Sequence, residues 1–143
     1  MRKPITVFSL IGAAILLGAV AGRAQDAPGG GPSTVEISNE GKEVYQSICQ
    51  ACHMADAKGG GGVIPALAGN ANLKDKDFIV SILLKGRGGM PWFTDMLSRR
   101  QMAAVATYVR SYFNAFPEPV TEADVDRLAA VTPTSPRDCA TCS

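Results

Sequence analysis

Histidine is nearly absent from this 143-residue chain, which has only His53. Aromatic residues make up 6%, with one tryptophan, and there are four cysteines. No stretch alternates apolar and polar residues long enough to build a sheet, and no segment repeats at a useful period. Each scarcity excludes something. One histidine rules out a site built on two imidazoles. Few aromatics leave a thin core for a chain with long loops, and the missing alternation argues against a β architecture. Charge is not one-sided either: 14 basic residues face 13 acidic ones, a formal charge of +1. Nothing in that balance suggests nucleic acid as a partner. The length fits one compact domain with at most a short appendage.

The N-terminal segment has the pattern of export. Arg2 and Lys3 precede an uncharged run of eighteen residues from Ile5 to Gly22, and Gly22-Arg23-Ala24 ends in small residues suited to a cleavage site. Residues 1–24 are therefore expected to be a signal peptide and the mature chain to be periplasmic. An uncleaved anchor is the competing reading, since roughly 17–25 apolar residues span a bilayer; membrane contact is expected only in that case. Cleavage after Ala24 leaves 119 residues. It also removes three of the 14 basic residues and none of the 13 acidic ones, for a formal charge of −2. Beyond the inner membrane thiols are oxidised unless a cofactor or another bond claims them, so all four cysteines need an account.

Residues 25–37 are rich in glycine and proline and read as a flexible leader. Ser38 is placed to cap a helix through Glu40, Val44, Tyr45 and Ile48 to Cys49. Glycines 59 to 62 and 69 mark a loop. Asp75 to Lys85 has an apolar stripe of Phe78, Ile79, Ile82 and Leu83, with Gly86 available to end the helix at positive φ. Ser98 followed by Gln101 is a capping-box pattern for a helix from Arg99 to Asn114, the clearest in the chain. Thr121 is placed to cap one more short helix, to Val131. The fold class is all-α, with a few short helices joined by glycine-rich loops. Loops of that length usually serve a site or a ligand, and a large apolar cofactor would supply the missing core.

Cys49-Gln50-Ala51-Cys52-His53 supplies such a cofactor. The C-x-x-C-H spacing lets two thiols add across the vinyl groups of one haem, and the adjacent histidine falls beneath the iron. A redox dithiol would expect a βαβ setting, which is missing, and a zinc site would need four ligands. With no second histidine, methionine is the natural sixth ligand. Met54 adjoins the proximal ligand and cannot reach the opposite haem face. Met102 lies on the apolar face of the long helix and reads as core. Met90 sits in Gly88-Gly89-Met90-Pro91, where glycines permit close approach and proline stiffens the turn. Met96, six residues on, is the alternative.

The segment from about Asn39 to Asn114 resembles a class I cytochrome c domain. Gly41 and Tyr45 match that family's Gly-x-x-x-aromatic pattern in the first helix, and Tyr108 matches the aromatic of the last helix that crosses it. The resemblance implies close packing of these two helices at Gly41. Pro65 is similar to the family proline whose carbonyl accepts a hydrogen bond from the proximal histidine. The implied domain is 38–115, binding one haem c through Cys49, Cys52, His53, Met90 and Pro65, with His53 and Met90 on iron. The Gly89-Met90-Pro91-Trp92-Phe93 stretch, with Leu97-Ser98 and Ala103-Ala104-Val105, is similar to cytochrome domains found with periplasmic dehydrogenases. The implied partners are redox proteins: such a dehydrogenase as donor and an oxidase or another cytochrome as acceptor.

Residues 116–143 extend past the usual domain end. Cys139 and Cys142 have the attachment spacing but are followed by Ser143, so a second haem lacks its ligand. A disulfide between them is expected, with a link to another chain or a redox thiol pair as alternatives. The expected function is electron transfer by a carrier that is not itself an enzyme, either free or as a dehydrogenase subunit. A haem enzyme or gas sensor with an open sixth position is the alternative.

Overall fold

The computed structural model describes residues 34–132, all within one compact unit. The expected signal peptide, most of the leader and the Cys139/Cys142 pair lie outside the described residues. Helix α1 covers Thr34–Val44 and passes through a π-helical turn, Tyr45–Cys49, into α2, Gln50–His53. A 3₁₀ turn at Ala71–Lys74 leads to α3, Lys76–Lys85; α4 is Arg99–Asn114 and α5 is Glu122–Ala129. Among the described residues there is no strand, only isolated bridges at Gly60–Ile64 and Arg87–Met90. The all-α expectation holds. Among the same residues no helix is long and apolar enough to cross a membrane.

One boundary differs from expectation. The first helix starts at Thr34, so Ser38 lies inside it and the leader gives way to helix before Ile37. The breakers end at Pro32, and Glu36 in the first turn suits the positive helix end. Adding turns to a helix already fixed by packing costs little compared with starting one.

Helix α4 is the centre of the molecule. Ser98 accepts from the Gln101 amide while the Gln101 side chain accepts from the Ser98 amide, the expected capping box, and Met102 to Arg110 are buried without interruption. Gly41 of α1 meets this helix backbone to side: a Cβ there would lie 2.2 Å from the Ala104 carbonyl oxygen and 2.8 Å from Tyr108 Cβ. The Tyr45 ring packs 5.7 Å from Tyr108 and 5.1 Å from Phe113 between centroids. Arg100 Nε reaches Glu40 at 2.7 Å across the same contact, an exposed pair of the kind that contributes at most about 1 kcal/mol.

Within the segment expected as an extension, residues 116–129 pack against the same core. Val120, Val125 and Leu128 are buried with it, and α5 packs on α3 and α4. Thr107 Oγ1 accepts from the Val120 amide at 2.9 Å. Buried Arg110 donates to the carbonyls of Leu73 (2.9 Å), Lys74 (3.1 Å) and Glu118. A guanidinium's fixed fork of donors suits such a three-way tie, which binds the 3₁₀ turn and the segment after Ala115 to α4. The expected cap at Thr121 is present, with Asp124 completing its box.

Because the Ala104 backbone cannot yield to a Cβ at 2.2 Å, Gly41→Ala must separate α1 from α4. Overpacking of this kind costs roughly 1–3 kcal/mol, and denaturant unfolding is expected to show a loss at or above that range.

Candidate haem site

The attachment sequence closes the first helical segment. Cys49 ends the π turn and Cys52 lies one helical turn on, so the two thiols share a face. The widened turn is visible in the Gln50 amide, which donates to Tyr45 O five residues back rather than four. Ser47 Oγ compensates by donating to Glu43 O at 2.7 Å. Apolar spacing alone points to an uninterrupted helix here, because a π turn leaves no signature in it. Its effect is to insert a residue between the face of Gly41 and the face of the cysteines.

Both thiols are free, Cys49 half-buried and Cys52 exposed. Burial pushes the Cys49 thiol up to about 11, against a lowering backbone hydrogen bond and with Cys52 raising it further. Among the described residues no three His, Cys, Asp or Glu side chains converge to hold a metal ion by themselves. Among those residues the zinc alternative therefore lacks its ligands, whereas a porphyrin brings four of its own.

His53 is buried, with 7% of its surface exposed, and its Nδ1 is 3.1 Å from the Pro65 carbonyl oxygen. A carbonyl can only accept, so Nδ1 carries the proton and Nε2 keeps the lone pair that a metal needs. The partner expected at Pro65 is the one found. Gly59 makes that approach possible: it has φ +68°, its amide donates to His53 O at 3.1 Å, and a Cβ on it would strike Ile64 O at 2.2 Å and Pro65 O at 2.9 Å. In the sequence Gly59 is one loop glycine among several; its distinguishing contacts come from residues five and six positions on.

Directly after His53, Met54 has φ 66° and ψ 164°, a region that glycine alone occupies without strain, at a cost of about 1–3 kcal/mol. Its carbonyl accepts from the Tyr45 hydroxyl at 2.7 Å and the Ala57 amide at 3.1 Å. Tyr45 is 1% exposed, and burial first, then Cys49, Tyr108 and Asp56, pushes its phenol up to about 12. It is a donor throughout the neutral range.

Met90 is half-buried in a turn closed by reciprocal bonds with Arg87, both 3.0 Å. Gly86, at φ +70°, lies so close that a Cβ would be 2.6 Å from Met90 O. The Phe93 amide donates to Leu83 O at 2.8 Å, and buried Phe93 and Leu97 anchor the segment to the core. An open hollow of about 310 Å³ is lined by residues 85 to 92. Met96 is 53% exposed, while Met102 is fully buried as the expected core residue. Lys58 pairs with Asp56 at 3.4 Å; Lys85 and Arg87 are exposed.

The all-α fold around a C-x-x-C-H helix, with an oriented imidazole, defines a monohaem c-type cytochrome. The chain belongs to the family described as cytochrome C oxidase, cbb3-type, subunit III, whose model matches residues 38–109. It is similar to cytochrome c6 of Leptolyngbya boryana, with 40% identity over 75 residues, 48% of this chain and 85% of that one. It is also similar to the fructose dehydrogenase cytochrome subunit of Gluconobacter japonicus, with 32% identity over 97 residues, 57% of this chain and 20% of the relative. The cytochrome c subunit of the quinone alcohol dehydrogenase of Gluconobacter oxydans (strain 621H) is 32% identical over 104 residues, 63% of this chain and 22% of the relative. The chain thus spans about a fifth of the length of those two subunits. As a member of this family it carries covalently bound haem c.

Two outcomes follow from this geometry. Gly59→Ala is expected to lengthen or break the His53–Pro65 bond, read as a shifted His53 ring resonance in NMR, and to cost at least about 1–3 kcal/mol for the strained φ. The Tyr45 phenol has a higher folded than ordinary value, so the stability it contributes is complete below pH 10 and is lost as pH rises toward about 12. Alkaline unfolding curves are expected to show this loss and Tyr45→Phe to lack it.

Proposed function

We propose that this chain is an exported, periplasmic electron carrier whose haem is bonded to Cys49 and Cys52 and whose iron is held by His53 and Met90. The observation that carries this reading is the 3.1 Å contact between His53 Nδ1 and Pro65 O, which leaves Nε2 as a lone-pair donor. The two thiols at helical spacing just ahead of it support the attachment. Bound haem c supplies an iron that exchanges one electron at a time.

The chain's own residues set how that exchange proceeds. A hydrogen bond from Nδ1–H to a carbonyl makes His53 a stronger donor and holds its ring orientation. A methionine thioether on the other side favours the reduced state, so a positive midpoint potential is expected. The Arg87–Met90 turn and the Gly86 contact hold the Met90 backbone to the end of α3, whereas Met96 faces solvent. That contrast favours Met90 over Met96. With His53 and Met90 both holding the iron, no position would remain for substrate, and the chain would act as carrier rather than enzyme.

The names of two relatives, cytochrome subunits of fructose and alcohol dehydrogenases, suggest the donor: a periplasmic dehydrogenase, with an oxidase or another cytochrome as acceptor. Exposed Lys85 and Arg87 flank the Met90 turn, and docking there is expected to be small and transient, as an electron carrier requires.

The test is the optical spectrum of the ferric, haem-loaded protein. The weak red-edge band that marks sulfur ligation is expected in the wild type and in Met96→Ala and is expected to vanish in Met90→Ala. Its survival in Met90→Ala would remove Met90 from the iron.

A further inference from the structure

The residue that follows His53 is held in a backbone conformation it would not adopt alone. Met54, at φ 66° and ψ 164°, occupies a region that suits glycine and opposes a branched Cα. Its amide donates to Gln50 O at 3.0 Å and its carbonyl accepts from the Ala57 amide at 3.1 Å. The third restraint is a side chain: the Tyr45 hydroxyl, 2.7 Å from the same carbonyl. The Tyr45 ring is fixed in turn by Tyr108 and Phe113. For packing alone, phenylalanine would serve equally well; of the Tyr45 side chain, the hydroxyl is the part that bonds Met54.

We propose that Tyr45 is a positioning residue for His53, its hydroxyl holding strained Met54 in the conformation that keeps the His53 ring against the Pro65 carbonyl. This rests on His53 being the iron ligand. If Met54 relaxed, the peptide after it would turn, and the loop through Ala57 and Gly59 would move with it. That loop bonds His53 O through the Gly59 amide and carries, through Gly59, the close approach to Ile64 and Pro65. A looser Nδ1–H···O bond makes the imidazole a weaker donor, which stabilises ferric iron less. The midpoint potential then rises.

The experiment compares four haem-loaded proteins: wild type, Tyr45→Phe, Met54→Gly and the double variant. Midpoint potential and the hyperfine-shifted His53 ring resonances of the ferric form are measured in each. Tyr45→Phe is expected to raise the potential and move the His53 resonances. With Met54→Gly already present, the same change at Tyr45 is expected to produce less than half of either shift, because glycine adopts this conformation without strain and needs no hydroxyl to oppose its relaxation. Unchanged potential and resonances in Tyr45→Phe, with only a lower melting temperature, would overturn the proposal. Equal shifts in the two backgrounds would do so as well. If Tyr45→Phe fails to load haem, recovery of loading in the double variant supports the proposal and continued failure overturns it. A wild type without hyperfine-shifted histidine resonances would instead refute the ligand assignment on which the proposal stands.

Discussion

Gly41 lies against the Ala104 carbonyl with no room for a Cβ, and the haem site depends on that approach. With no Cβ at residue 41, α1 can lie against the α4 backbone, and the Tyr45 ring one turn further on meets Tyr108 and Phe113. Aromatic pairs contribute beyond their buried area, about 0.5–1.5 kcal/mol each, so the contact fixes the first helix in rotation as well as in place. The π turn then resets the phase. Without the inserted residue, the face of Cys49 and Cys52 would follow from the face of Gly41 by ordinary helical spacing; with it, packing and attachment are set separately.

From that anchored helix the site is assembled mainly by backbone groups. The Pro65 carbonyl orients His53, the Gly59 amide bonds His53 O, and the Arg87–Met90 turn closes on itself. Backbone partners of this kind have few rotatable bonds to lose. A carrier benefits from such stiffness, because the less the ligands move between oxidised and reduced states, the smaller the reorganisation each transfer requires. The segment after Ala115 adds to it from behind: Arg110 ties the turn at Leu73 and Lys74 to Glu118, joining residues far apart in the chain.

Features set by local chemistry were legible in the sequence. The C-x-x-C-H spacing, the capping residues Ser98, Gln101 and Thr121, and the stripe of Phe78, Ile79, Ile82 and Leu83 each depend on neighbours within a few positions. Gly41, Tyr108 and Pro65 were legible through their family resemblance, and their contacts are as that resemblance implies. What escaped notice depends on partners distant in the chain. Arg110 reads as a surface charge until the carbonyls of Leu73 and Glu118 surround it. Gly59 looks like its neighbours until Ile64 and Pro65 fold back over it. Met54 was weighed only as a distal ligand, because nothing in a methionine's type announces a positive φ. The helix start at Thr34 was missed because a good cap at Ser38 competes with a longer helix that tertiary packing stabilises.

The central claim is that the iron is closed on both faces by side chains of this chain. Carbon monoxide tests it most directly, since it binds ferrous haem at an open position and competes poorly with a firmly held thioether. Reduced, haem-loaded protein titrated with carbon monoxide at neutral pH is expected to keep its spectrum unchanged. Prompt formation of a carbonyl complex in the wild type would contradict the closed site, and the chain would then be read as a haem enzyme or gas sensor.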